Sequence, residues 1–392
     1  MTTHALLSPS SADRWIHCPP SALLNAEAPR KDTAYTMEGT LAHAVCEFKA
    51  RKYFIGGTGP RQYTARLKAF RKDPCWQDEM NEHTDRYLDI LKDLAGAFEA
   101  WPHVALEQSV DFSDHVPDGY GTADCLMIGR ALDYEGDLLQ IVDFKYGKGV
   151  PVTADHNPQL MLYALGALES YGAIYDVRTV RMTVVQPRLA DEADTFEMPA
   201  KELLRWADDV VKPAAELAAK GEGAYADGPW CRWCAVRGTC RARAQSQLAL
   251  AEKDFRLPPE LTDAEIGEAL TQGRLLKQWL SDLEEYALEA CLDGREIDGW
   301  KAVAGRSVRA WTDADAAFAA ARAAGIPEEM LYERKPVTLA GLEKIMGKKP
   351  FAEALADFVE TPPGKPTLVP ADDKRPPVTK KASAEEDFAG EQ

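Results

Sequence analysis

The sequence predicts an α/β fold built on a mixed central sheet. Three observations carry it. Apolar residues first recur at helical spacing, then at alternate positions from Val104 onward. Three apolar strands then precede a helix, another strand and another helix. Turn residues separate these segments where the period changes.

The elements follow in chain order. Residues 8–25 read as a short helix, capped by Ser8-Pro9-Ser10-Ser11 and ended by Pro19-Pro20. Residues 37–53 read as a helix with Leu41, Val45 and Phe48 on one stripe, followed by a flexible Gly56-Gly57-Thr58-Gly59-Pro60 loop. Residues 77–100 read as a longer helix. Val104, Leu106, Val110 and Phe112 alternate as one face of a strand. Gly121–Ile128 and Leu138–Tyr146 are two more strands, joined near Glu135-Gly136-Asp137. Asn157–Tyr171 is helical, Val177–Gln186 is a strand stopped by Pro187, and residues 200–220 are helical. Residues 262–292 form a long amphipathic helix. Residues 296–360 read as a small α/β appendage that begins with a strand at Gly299-Trp300-Lys301. From Pro362 the composition predicts a disordered tail. The domains expected are thus 1–255, 256–361 and 362–392.

The 392 residues are 45% apolar and 28% charged, ordinary for a soluble globular protein. No run of 18 apolar residues is present, which predicts no membrane span, and Met1-Thr2-Thr3-His4 does not open a signal peptide. A cytoplasmic location is expected. Eight cysteines do not make a disulfide scaffold, so any cluster of them reads as metal or redox chemistry. The net charge of −17 argues against a nonspecific polyanion binder. Two windows depart from it. Phe48–Lys72 holds eight basic residues (Lys49, Arg51, Lys52, Arg61, Arg66, Lys68, Arg71, Lys72) and no acid, and Gly228–Ala251 holds four arginines and no acid. An acidic body with two basic windows is compatible with a confined nucleic-acid track.

The most informative stretch is Gly121-Thr122-Ala123-Asp124, followed by Asp143-Phe144-Lys145 on the next strand. Alternation places Asp143 and Lys145 on one face. Two carboxylates on neighbouring strands can share Mg²⁺ or Mn²⁺, and a nearby lysine can orient water or offset phosphate charge. Two charges in an otherwise apolar strand also run against ordinary core composition. Glu38-Gly39-Thr40-Leu41-Ala42-His43 puts a histidine beside an apolar stripe. Gln159 and Tyr163 share one helix face. Glu107 lies opposite the apolar face of its strand, and a salt bridge is its expected role.

Cys231-x-x-Cys234-x5-Cys240 gathers three thiols within ten residues. Structural zinc and an iron–sulfur cluster both suit such a group, each needing a fourth ligand. Cys18, Cys46, Cys75, Cys125 and Cys291 are the candidates.

Taken in order, these motifs resemble the PD-(D/E)XK nuclease superfamily, and within it the RecB/AddB-like branch. The resemblance covers residues 10–245 and implies a restriction-endonuclease-like core. It implies that His43, Asp124 and Asp143 ligate the metal with the backbone carbonyl of Phe144. Lys145 would position the nucleophilic water, and Gln159 and Tyr163 would contact DNA or support the site. Members with one cysteine before the nuclease core and Cys-x2-Cys-x5-Cys after it hold a [4Fe–4S] cluster. That layout falls here on Cys18, Cys231, Cys234 and Cys240.

Leu7-Ser8-Pro9-Ser10-Ser11 through Cys18-Pro19, Gly299-Trp300-Lys301 with Gly305-Arg306-Ser307, and Lys365-Pro366-Thr367-Leu368-Val369-Pro370 resemble a family of uncharacterised bacteriophage and prophage proteins of that superfamily. The resemblance implies a metal-dependent DNA exonuclease in phage replication or recombination, within the bacterial host cytoplasm. Its partners would be DNA and phage single-strand-binding or recombination proteins. A structure-specific endonuclease, a non-catalytic or partner-dependent DNA-binding protein on the same fold, and a zinc-stapled binding module are the competing readings.

Overall fold

Pro9–Ser11 winds one 3-10 turn and leads into α1 (Ala12–His17); after Pro19-Pro20 the helix restarts as α2 (Ser21–Ala26). The expected single helix over 8–25 is therefore two, because proline supplies no N–H to carry the ladder through. The computed structural model describes residues 5–28, 33–251, 262–303, 313–332, 337–355 and 358–359. The tail 362–392 and the Gly305-Arg306-Ser307 motif lie outside the described residues.

Helix α3 (Ala34–Phe54) starts at a reciprocal cap between Thr33 and Thr36. Leu41, Ala42, Val45, Cys46, Lys49 and Ala50 form its buried face. Helix α4 (Pro60–Phe70) occupies a stretch with too few apolar residues to announce a helix; Pro60 sits in its first turn. Helix α5 (Met80–Ala95) buries Met80, Thr84, Tyr87, Ile90 and Leu91.

Strands β1 (His103–Asp111), β2 (Tyr120–Arg130) and β3 (Asp137–Phe144) form an antiparallel meander. Helix α6 (Pro158–Tyr171) crosses over to β4 (Val177–Val185), which runs parallel to β3. An edge strand, β5 (Asp194–Pro199), pairs antiparallel with β4. The sheet order is β1-β2-β3-β4-β5, a five-stranded mixed sheet. Helices α7 (Ala200–Trp206) and α8 (Lys212–Lys220) are separated by a π turn over Ala207–Val211. The expected helix over 200–220 thus carries an irregularity at its centre.

Two apolar clusters sandwich the sheet. One joins α1, α6, α7 and α8 to Ala123, Leu126, Ile128, Leu139 and Ile141. The other joins α3 and α5 to Leu106, Cys125, Met127, Leu138, Val142 and Phe144. The protein is an α/β fold with helices on both faces of a mixed sheet, consistent with a restriction-endonuclease-like core. No helix among the described residues is long and apolar enough to cross a membrane.

Helix α9 (Arg241–Ala251) follows the cysteine segment, and α10 (Asp263–Leu292) begins at a Thr262–Glu265 capping box. The chain divides into two compact units, Met1–Asp298 and Gly299–Gln392. The described part of the second unit is helical: α11 (Ala314–Ala323), α12 (Leu339–Met346) and α13 (Lys348–Leu355). The strand expected at Gly299-Trp300-Lys301 is not formed; Trp300 carries a single-residue bridge. No strand occurs among the described residues of this unit.

Candidate active site

The site begins with a fault in two strands. In β1, Leu106 packs towards α3 and α5, whereas Val110 and Phe112 pack on the opposite face. A regular strand would put all three on one side, as their spacing suggests. Between them Glu107 has φ +48°, a left-handed backbone that turns the strand over. Strand β2 switches at the same level: Ala123 and Cys125 belong to opposite clusters. Leu106 pairs with Cys125 and Gln108 with Ala123, so Glu107 and Asp124 face each other at the switch. The β2–β3 ladder ends at Cys125–Val142. Beyond it, the Phe144 N–H donates to Asp124 Oδ2 at 2.7 Å, which replaces the missing ladder bond.

Helix α3 delivers His43 to this point. Its Nδ1 lies 3.2 Å from Asp124 Oδ1, and the ring meets Phe144 edge-on. His43, Glu107 and Asp124 each bring one ligand atom to within 4.8 Å of the others. Glu107 therefore belongs to the cluster, and the salt-bridge role expected for it is corrected. The positive φ puts its side chain on the α3 side, where regular alternation could not. Gly39, four residues before His43, leaves open space where a Cβ would stand.

Asp143 and Lys145 form the second half. Lys145 Nζ stands 2.8 Å from Asp143 Oδ2 and donates to Oδ1 at 3.1 Å. It also donates to Gln159 Oε1 at 3.0 Å, and Gln159 Nε2 donates to Asp143 Oδ1 (3.1 Å) and to Tyr163 Oη (3.0 Å). Gln159 thus fixes both members of the Asp143–Lys145 pair from α6. The Asn157 side chain caps that helix, accepting from the N–H groups of Gln159 and Leu160. Gly121 is needed for packing: a Cβ there would come within 2.7 Å of Pro9 Cγ and 2.9 Å of Tyr163 Cε1. The glycine lets β2, α6 and the N-terminal turn close together.

The structure therefore brings His43, Asp124, Asp143, Lys145, Gln159 and Tyr163 to one end of the sheet, with Phe144 between the two halves. Burial disfavours charge on His43, but Asp124 outweighs it and raises the imidazole pKa. Burial alone would raise Asp124; His43 and the Phe144 N–H hold it below the usual carboxylate range. Asp143 is 2% exposed, and burial pushes its pKa up against the pull of Lys145. Its Oδ2 is buried and, although near Nζ, lies off the hydrogen-bond direction. Burial, with Asp124 opposite, raises Glu107 to about 7. The grouped His43, Glu107 and Asp124 ligand atoms, with the unpartnered Asp143 Oδ2 nearby, fit a hard divalent cation.

This gives a pH prediction. Glu107 keeps its proton in the fold up to about 7, well above its ordinary 4.5. The stability this contributes is full below pH 4.5 and lost as pH rises towards 7. A cation needs the carboxylate. The rise in melting temperature on adding Mn²⁺ is expected to grow between pH 6 and 8, and Glu107→Gln to flatten that growth. An equal Mn²⁺ effect at both pH values in wild type would contradict Glu107 as a ligand.

Four of the twelve cations in the basic windows are tied up within the fold. Lys49 is 1% exposed and donates to the carbonyl of Asn81, to Thr84 and to Asp85. Arg51 pairs with Glu47 and donates to the Leu106 carbonyl. Arg237 pairs with Asp282 and Glu285, and Arg243 with Asp282. Arg61, Arg66, Lys68 and Lys72 remain exposed. One residue that sequence reasoning passed over braces the site. Arg188, after β4, holds Glu38 at the start of α3 (3.2 Å) and Glu79 beside α5 (2.5 Å).

The cysteine segment sits against the N-terminal helices. None of the eight cysteines is in a disulfide, and Cys18, Cys231 and Cys234 are buried. Arg14 Nη1 donates to the Trp233 carbonyl at 3.0 Å, and His17 stacks on Trp230 at 4.2 Å. Asn25 donates to Cys234 Sγ at 3.4 Å and accepts from the Ala235 N–H at 2.7 Å. Burial lowers the Arg14 pKa, while the neighbouring Cys234 and Cys18 thiols oppose the shift. Arg14 Nε is buried without an acceptor. Burial pushes the Cys231 thiol up to about 12. An orphaned cationic donor beside thiols fits an anionic thiolate group.

Fold and site together define an α/β protein whose mixed sheet carries a half-buried histidine–carboxylate–lysine cluster at the end of its central strands. The chain belongs to a protein family of unknown function, DUF2800, whose model matches residues 4–376.

Proposed function

We propose that this chain is a metal-dependent DNA nuclease of the PD-(D/E)XK superfamily, acting as an exonuclease in phage replication or recombination. One observation carries the reading: Lys145 is held between Asp143 and Gln159 beside the His43–Asp124 pair. Nuclease chemistry needs a cation site and a positioned ammonium together, and a merely structural ion pair would not need the Gln159 brace.

His43, Glu107, Asp124 and Asp143 would hold Mg²⁺ or Mn²⁺, which supplies Lewis acidity and a lowered water pKa. The rest falls to the chain. Lys145 orients the attacking water and offsets charge on a phosphate oxygen. Gln159 keeps the ammonium in place, and Tyr163 keeps Gln159 in place. Water oxygen bonds to phosphorus as the ester P–O bond breaks; one water proton ends on the leaving oxygen.

A [4Fe–4S] cluster on Cys18, Cys231, Cys234 and Cys240 would join the two ends of the nuclease core. Structural zinc on the same thiolates is the alternative, and the buried Arg14 Nε beside Cys18 and Cys234 suits a thiolate group of either kind.

The test is cleavage of end-labelled linear single- and double-stranded DNA by anaerobically purified protein with Mg²⁺ or Mn²⁺. Brown protein that shortens the label from an end, and stops in EDTA, is the expected result. A metal-replete brown protein that leaves every substrate intact would overturn the nuclease reading in favour of a DNA-binding one.

A further inference from the structure

Away from the catalytic cluster, aromatic rings gather on the surface at the far end of α3. Tyr53 and Phe54 meet Trp101, which precedes β1, with ring centroids 6.1 and 5.6 Å apart. Trp101 is 62% exposed and Tyr53 48%. Lys92 Nζ, fixed by Asp89 at 2.8 Å, lies 5.1 Å from the Tyr53 ring centre. Beside Tyr53, Lys52 Nζ lies 3.7 Å over Tyr63, which stacks on Phe48, so this half-buried ring steadies the edge and adds a cation to it. The exposed Arg61, Arg66 and Lys68 continue it along α4.

We propose that this edge is a base-stacking platform for single-stranded DNA. Exposed rings interleaved with cations are the chemistry that binds unpaired bases and their phosphates. A protein-docking patch would be depleted in lysine at its centre. A duplex keeps its base faces covered by their neighbours and offers these rings nothing to stack on. Tyr53 is ten residues from His43, about 15 Å along the helix. The platform therefore holds the strand beside the reacting centre and takes no part in the chemistry. As a substrate-binding surface it rests on the nuclease reading; its affinity for single strands is measured without cleavage.

The experiment is fluorescence anisotropy of labelled oligothymidylate with the full chain in EDTA, against a duplex of equal length. Wild type is expected to prefer the single strand. Trp101→Ala and Tyr53→Ala should each weaken it by about 5- to 150-fold, and Trp101→Phe by much less. Lys52→Ala and Arg61→Ala should shallow the salt dependence, which Trp101→Ala leaves unchanged. Because Trp101 is exposed, its loss leaves the core intact, which an unchanged melting curve checks. Wild-type affinity in both aromatic variants would overturn the platform, as would an equal loss of duplex and single-strand binding. Unaltered oligothymidylate binding in both aromatic variants, alongside cleavage that depends on Asp124, rejects the platform and leaves the nuclease standing. Weakened binding in a protein that never cleaves does the reverse.

Discussion

Lys145→Ala is expected to lower the turnover of DNA cleavage by about 10²–10⁴-fold and to leave substrate affinity nearly unchanged. The ammonium contacts Asp143 and Gln159, both internal to the site, and no basic surface residue. Its loss removes orientation of the attacking water and the counter-charge for phosphate, not the grip on the strand. The same change also bears on the fold. Removing one partner of a buried ion pair costs about 3–5 kcal/mol when the other stays charged. Asp143 need not stay charged, since burial already raises its pKa. That upward shift eases its protonation in the variant, which lowers the cost towards the bottom of that range. The melting temperature should therefore drop by a few degrees, and adding Asp143→Asn should cost little more. Steady-state kinetics with melting curves separate the two effects: lost turnover in a protein that melts near wild type is catalytic. Wild-type turnover in Lys145→Ala would remove the lysine from the mechanism.

Where sequence reasoning worked, it worked through period. Asp143 and Lys145 stand two apart on an apolar strand, so their shared face follows from alternation alone. Gln159 and Tyr163 stand four apart on a helix and meet the same site. Glu107 could not be placed that way. Its side is set by one positive φ, and a glutamate in that backbone leaves no mark on the hydrophobic pattern. Only its direct opposition to Asp124 reveals it, and opposition is a matter of register. Lys49 misled for a related reason. It reads as one of a run of cations, but its partners Asn81, Thr84 and Asp85 arrive from α5, more than thirty residues away. Strand β5 and helix α4 escaped because each is short or exposed, with little apolar surface to announce its period. The α/β order survived these errors, since it depends on long buried segments whose period is hard to mistake.

Cys18→Ser is expected to lower the iron content and to destabilise the first unit more than substitution of a cysteine outside the proposed cluster. Cys18 and Cys231 are 213 residues apart, with all five strands between them. By loop-closure entropy, a covalent join over that length is worth about 5 kcal/mol. For a unit of about 300 residues that is about 8 °C in melting temperature. The figure is an upper bound, because packing already holds the N-terminal helices: Ala12, Trp15 and Ala22 are buried in the core shared with α6 and α8. Arg14, Asn25 and His17 add polar and stacking contacts to the cysteine segment. Cys46 supplies the control. It is equally buried, but it packs between α3 and the sheet. Cys46→Ala should cost what a small core cavity costs, about 1 kcal/mol, with iron unchanged. Chemical iron analysis and the visible spectrum, read beside the melting curves, then decide. Iron lost in both variants would point to general unfolding, and iron kept in Cys18→Ser would place the fourth ligand elsewhere. Iron lost in Cys18→Ser alone, with a fall well beyond that of Cys46→Ala, makes the two ends of the core a single cooperative unit. Its catalytic strands would then be held in register partly by thiolates remote from the reaction.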